Sequence, residues 1–310
     1  MQRALATKLR NAAGLVREAA ASWSEDHAQS MGAALAYYTT FSIAPLLLIV
    51  ISIAGLLFGV EAARGEIFAQ LQGLMGDAGA RTVQELLRSV NEPKQSAIAT
   101  IVGLVTLLIG ATSVFGELQD DLDRIWRAPA RKAGGGLFKL LRSRLLSFGM
   151  ILGIGFLLMV SLIASAAISA LGKWWGPMFG HWALLARVID LAFAFAMTTA
   201  VFAMIYKIMP RVHIDWRDVW IGAAVTALLF SIGKVLIGLY IGRSSVTSGF
   251  GAAGSLVVLL LWVYYSAQIF LMGAEFTWVY AHRCGSRTSV ERPRGADADS
   301  VPKVNERAAT

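Results

Sequence analysis

Residues 215–275 read DWRDVWIGAAVTALLFSIGKVLIGLYIGRSSVTSGFGAAGSLVVLLLWVYYSAQIFLMGAE. Two apolar runs, each long enough to cross a bilayer, flank a short segment rich in glycine and serine. Lys234 lies well inside the first run and Glu275 near the end of the second. Ionisable groups in such runs are expensive and are by default functional candidates. The rest of the chain has the same character. Of 310 residues, 56% are hydrophobic and 15% charged, against about 25% charged in a soluble domain. The mean hydropathy is +0.60. The fold class expected is all-α: a polytopic membrane protein with six transmembrane helices plus amphipathic surface helices.

The expected spans are residues 31–59, 97–116, 140–171, 184–209, 219–241 and 252–281. Residues 1–30 read as an amphipathic N-terminal helix, with Leu5, Leu9, Ala12, Val16, Ala19 and Trp23 at spacings of three and four. Its basic flanks suit an anionic lipid surface. Pro45 is expected to kink the first span. Residues 60–96 read as two surface helices separated by Gly76 and Gly79. Residues 31–283 form the membrane domain, and 284–310 read as a disordered tail. Residues 244–255 read as an outer loop, or as one dipping into the membrane.

The net charge of +8 is a topological signal, not a nucleic-acid one. Six spans place both termini on one side. That side collects 20 of the 28 lysines and arginines and the other collects 7, with Lys234 inside a span. The positive side is cytoplasmic, so both termini are expected there. The single cysteine, Cys284, leaves no intrachain disulfide and no cysteine zinc cluster. No cleavable signal peptide is visible.

Candidate site residues come from two helical faces. Tyr264, Gln268 and Glu275 fall within about 40° on the sixth span at 100° per residue. Ala223, Ala227, Ser231, Lys234 and Gly238 share a face of the fifth, a seam of small residues with a charge in it. Tyr37, on the first span, completes the expected lining. These faces either pack together or line a polar cavity in which Lys234 attracts an anionic group and Glu275 couples to a cation or proton. The depths of Lys234 and Glu275 argue against their direct pairing. Asp120, Asp121 and Asp123 invite a metal reading, but their directions around a helix favour a solvated face. None of the four histidines has metal-ligand spacing to another. No phosphate loop, GxSxG or HExxH is present. No enzyme activity, cofactor, metal or nucleic-acid partner is expected. The expected partners are membrane lipids and a small solute or ion.

The segments ALAYYTTFSIAPLLL (34–48), YKIMPRVHIDWRDVWIGA (206–223), SIGKVLIGLYIG (231–242) and GAAGSLVVLLLWVYYSAQIFLMGAEFT (251–277) resemble the YihY/BrkB family of bacterial inner-membrane proteins. The last is the most specific, and the resemblance covers roughly residues 20–283. It implies six helical spans in the cytoplasmic membrane and carries over no catalytic residues. The family has borne the labels virulence factor and ribonuclease BN. This chain offers the second no metal cluster and no soluble domain. The function expected is permease- or exporter-like transport of a solute through a polar cavity near spans five and six. The alternative is a non-transporting protein that binds lipid or scaffolds envelope partners.

Overall fold

The computed structural model describes residues 2–90, 113–129, 157, 182–243 and 254–287. Seven helices lie among them: α1 Gln2–Glu25, α2 Ala28–Phe58, α3 Val60–Val90, α4 at 113–125, α5 Trp182–Ile208, α6 Trp216–Arg243 and α7 Gly254–Arg283. No strand occurs among the described residues. The second expected span up to residue 112, the third span, residues 244–253 of the loop and residues 288–310 of the tail lie outside them.

Three helical stretches are long and apolar enough to cross a membrane: Val188–Ile208, Trp216–Ile241 and Leu256–Arg283. They match the expected fourth, fifth and sixth spans. The expected first span is the single helix α2, which passes through Pro45 without ending. Gly59 ends it with φ +86°, a left-handed conformation that glycine adopts without steric cost. The chain then returns as α3. Residues 60–90 form one 31-residue helix, not a pair broken at Gly76 and Gly79. Its Val83 is buried with Ala36 of α2 and Leu259 and Val263 of α7. That packing replaces the break that two glycines would favour in an isolated helix.

α7 is the hub: α6, α2, α1 and α3 all pack on it. α6 and α7 run antiparallel. Gly222 faces Thr277, Gly273 faces Thr226, and Gly233 faces Tyr265 and Ile269. Each glycine removes the Cβ that would hold the backbones apart. α5 joins at the same level, where the Tyr206 hydroxyl donates to the Phe270 carbonyl at 2.7 Å and lies 3.1 Å from Thr226 Oγ1. Thr226 and Thr277 hydroxyls also bond to the carbonyls four residues back, of Gly222 and Gly273. Every polar tip in this three-helix knot thus finds a partner, as a low-dielectric interior demands.

One end of the bundle holds the α1–α2 turn, α4, the 209–215 connection and the C-terminus of α7. It is called basal below, and the opposite end distal. α1 packs on the bundle against α7. Ala19 is buried, Leu15 and Trp23 pack beside it, and Val16 of the expected stripe is exposed. α4 plugs the basal end with Leu122, Ile125 and Trp126, all buried. The aspartates of α4 depart from a solvated face. Asp121 and Asp123 are buried, and Asp123 pairs with the Arg211 guanidinium while accepting the Arg211 backbone N–H at 2.8 Å. The start of the expected disordered tail is also docked. Asp218 accepts the Ser286 N–H at 3.0 Å and its hydroxyl at 2.7 Å, and Arg287 donates to the His213 carbonyl at 2.7 Å.

Candidate functional site

The five expected lining residues are not brought into one cavity. Tyr37 is 56% exposed on α2, its ring against Tyr38 and Phe41. Tyr264 packs with Ala36, Val83, Leu259 and Val263. Gln268 Nε2 reaches the Gln29 carbonyl at 3.4 Å, and the amide lies against Gly32. The polar stripe of α7 therefore meets α2 and the α1–α2 turn, and of its three residues Gln268 also borders a cavity against Leu229, Ile232, Gly233 and Leu236 of α6.

Lys234 occupies a different place. The α6 face of Ala223, Ala227, Ser231, Lys234 and Gly238 changes character along its length. Ala223 and Ala227 are fully buried, whereas Lys234 is exposed and, among the described residues, a Cβ on Gly238 would meet nothing within 4 Å. The face is closed basally and open distally. None of the described residues pairs with the Lys234 ammonium. On α6 the Cα–Cβ bond tilts toward the helix N-terminus, which is the basal end. The side chain thus leaves the backbone away from the nearer, distal end, which opposes snorkelling there. Trp262 of α7 packs edge-on to Phe230, one turn basal to Lys234 on α6, and its buried indole N–H has no partner among the described residues. A cation and an orphaned donor share this half of the bundle.

Glu275 lies at the depth of the knot, between Gly273 and Thr277. The residue is 0% exposed, and neither carboxyl oxygen receives a hydrogen bond from a donor among the described residues. The charged groups acting on it are Asp26 and Glu25 of the α1–α2 turn and Arg127 of the turn after α4. The Arg127 guanidinium lies 4.4 Å over the Trp278 ring, one helical turn from Glu275. Both turns hold a residue other than glycine in the left-handed region, His27 at φ 57° and Arg127 at φ 49°. Such conformations persist only where packing over-determines them. Glu275 is level with the Gly222–Thr226 stretch of α6 and Lys234 is about ten residues further along. At 1.5 Å per residue they stand about 15 Å apart in depth, so the two charges do not pair.

Asp26, Arg127, Tyr206 and Thr226 escaped the sequence reading. Asp26 and Arg127 look like ordinary loop charges, and only the fold sets both turns over one helix. Trp126 carried a signal, because Leu122, Ile125 and Trp126 repeat at three and four residues. Among the described residues, no group of three or more His, Cys, Asp or Glu could hold a metal.

Known proteins give the same frame. A chain from Alcanivorax borkumensis described as a UPF0761 membrane protein is 30% identical over 261 residues, covering 82% of this chain and 57% of its own length. A UPF0761 membrane protein from Pseudomonas aeruginosa is 31% identical, with 80% and 58% covered. One from Tolumonas auensis is 27% identical, with 78% and 77% covered. This chain thus spans somewhat over half the length of the Alcanivorax and Pseudomonas relatives. No solved structure matches it. The family model described as Virulence factor BrkB matches residues 19–298, and with apolar helices built for a bilayer the chain belongs to that family of membrane proteins.

Proposed function

We propose that this is a permease-like protein of the bacterial inner membrane, with six spans and both termini cytoplasmic, that moves an anionic solute past Lys234. One observation carries the reading. The small-residue face of α6 is sealed at Ala223 and Ala227 and open at Lys234 and Gly238. A path open at one end and shut at the other, with a bare cation where it is open, suits a carrier resting with its basal gate closed. The positive side chain favours an anion there, and the low dielectric around it strengthens the attraction.

The second reading, a membrane protein that binds lipid or scaffolds partners without moving a solute, draws on the Tyr206–Thr226–Phe270 knot, whose hydroxyls are buried and bonded to protein groups. Thiol labelling separates the two. In a Cys284→Ser background, a water-soluble anionic methanethiosulfonate should modify Gly238→Cys and leave Ala227→Cys untouched. Adding Lys234→Met should slow labelling at 238 by roughly tenfold, as loss of about 1.4 kcal/mol of attraction gives. Equal inertness at 238 and 227 would sink the carrier.

A further inference from the structure

We propose that Glu275 and Asp26 form a proton-binding carboxyl pair, loaded from the basal face and separate from the Lys234 region. Glu275 is fully buried, no donor among the described residues bonds its oxygens, and the Asp26 carboxyl is the side chain within hydrogen-bonding reach. A bare carboxylate in such a place is unstable against water, and a structure retains it only when something else neutralises it. The neighbours in electrostatic contact are Asp26, Glu25 and Arg127, two of them acids. Arg127 is engaged with the Trp278 face. Asp26 is the facing carboxyl, and two carboxylates cannot bond to each other unless one carries a proton. One shared proton neutralises the pair and supplies the missing hydrogen bond. A metal ion fits less well, since the described residues hold no cluster of three or more ligands.

The surroundings give the pair a route and a gate. Asp26 is half-buried in a turn whose neighbours Glu25 and His27 are exposed, and Arg127 is exposed on the opposing turn. A proton from the basal solvent therefore meets Asp26 before Glu275. The left-handed residues His27 and Arg127 sit one in each turn. A proton arriving or leaving changes the charge between two strained turns, which is where a packed inner gate can yield.

The test uses the full chain in lipid nanodiscs and needs no cargo. Infrared difference spectra across a pH titration report the C=O stretch of protonated carboxyls, with thermal unfolding as a fold check. In an Asp121→Asn background, which removes the other buried carboxyl that holds a proton when folded, the chain should show a band that disappears as pH rises, and each variant below is made in that background. Glu275→Gln should lose it while keeping the wild-type Tm to within a few degrees. Asp26→Asn should retain a band with its pH midpoint moved by about one unit or more, as coupled groups require. The proposal is overturned if Glu275→Gln keeps the band, or if Asp26→Asn leaves the midpoint in place. It is also overturned if Glu275→Gln and Arg127→Gln lower Tm equally and non-additively, which is the signature of a structural ion pair. Should Glu275→Gln fail to fold, the Asp26→Asn midpoint alone decides. Labelling at Gly238→Cys should be indifferent to Asp26→Asn, so this site and the distal path can fail independently.

Discussion

Asp121 shows how a residue in an acidic run can escape its neighbours' solvation. It points into the basal plug while Asp120 stays exposed. Burial pushes its carboxyl up from 3.8 to about 7, Glu117 and Asp120 add to the rise, and Arg124 opposes it. The unfolded chain releases this proton near pH 4, so between about pH 4 and pH 7 the folded state holds a proton that the unfolded state has lost. Stability from this group therefore falls as pH climbs through that window and levels off above it. Replacing Asp121 with Asn should flatten this part of the Tm-against-pH curve. An unchanged curve would show that the carboxyl is ionised when folded. The run DDLD revealed that acids were present. Only the packing of α4 determined that two of them would be inside.

At the scale of the element, α6 and α7 approach through glycines whose missing Cβ atoms set the helix spacing. A methyl on Gly222 would enter Thr277, and one on Gly273 would enter Thr226 and Tyr206. Gly222→Ala and Gly273→Ala should each cost on the order of 1–3 kcal/mol through overpacking. Gly238→Ala, which faces open space, should be neutral or gain up to about 1 kcal/mol from helix propensity. Thermal unfolding of the three variants checks the contrast. Similar losses at all three would mean that the distal face is as tightly packed as the basal one. The helices and their polarity pattern were legible, since α2, α5, α6 and α7 fall close to the expected spans. Which face met which neighbour was not. Tyr264 and Glu275 meet α2 and the basal turns while glycines 222, 233 and 273 form the close α6–α7 contact, and Gln268 stands between the two, reaching Gln29 and bordering an α6 cavity. Periodicity ranks positions around a helix but does not assign them partners.

For the whole molecule, charge sets orientation. Clustering of lysine and arginine beside the termini is the ground for the proposed cytoplasmic placement of the basal end, where Asp123–Arg211, Glu18–Arg283 and Asp218–Ser286 tie α4, α1 and the end of α7 to the bundle. A fluorescent protein fused after residue 310 should fluoresce, and alkaline phosphatase fused after residue 90 should be active. Phosphatase activity at residue 310 would reverse the orientation, and with it the side from which Glu275 is loaded. The chain's own residues determined its membrane character, its helical class and its family, because apolar length and charge asymmetry are local properties that survive without neighbours. The tertiary structure alone decided that Lys234 and Glu275 stand at different depths, that Asp26 and Arg127 both act on one buried carboxyl, and that α4 packs into the base. Each of those depends on close approach between segments far apart in sequence, which glycine placement and buried hydrogen bonds fix only once the helices have packed.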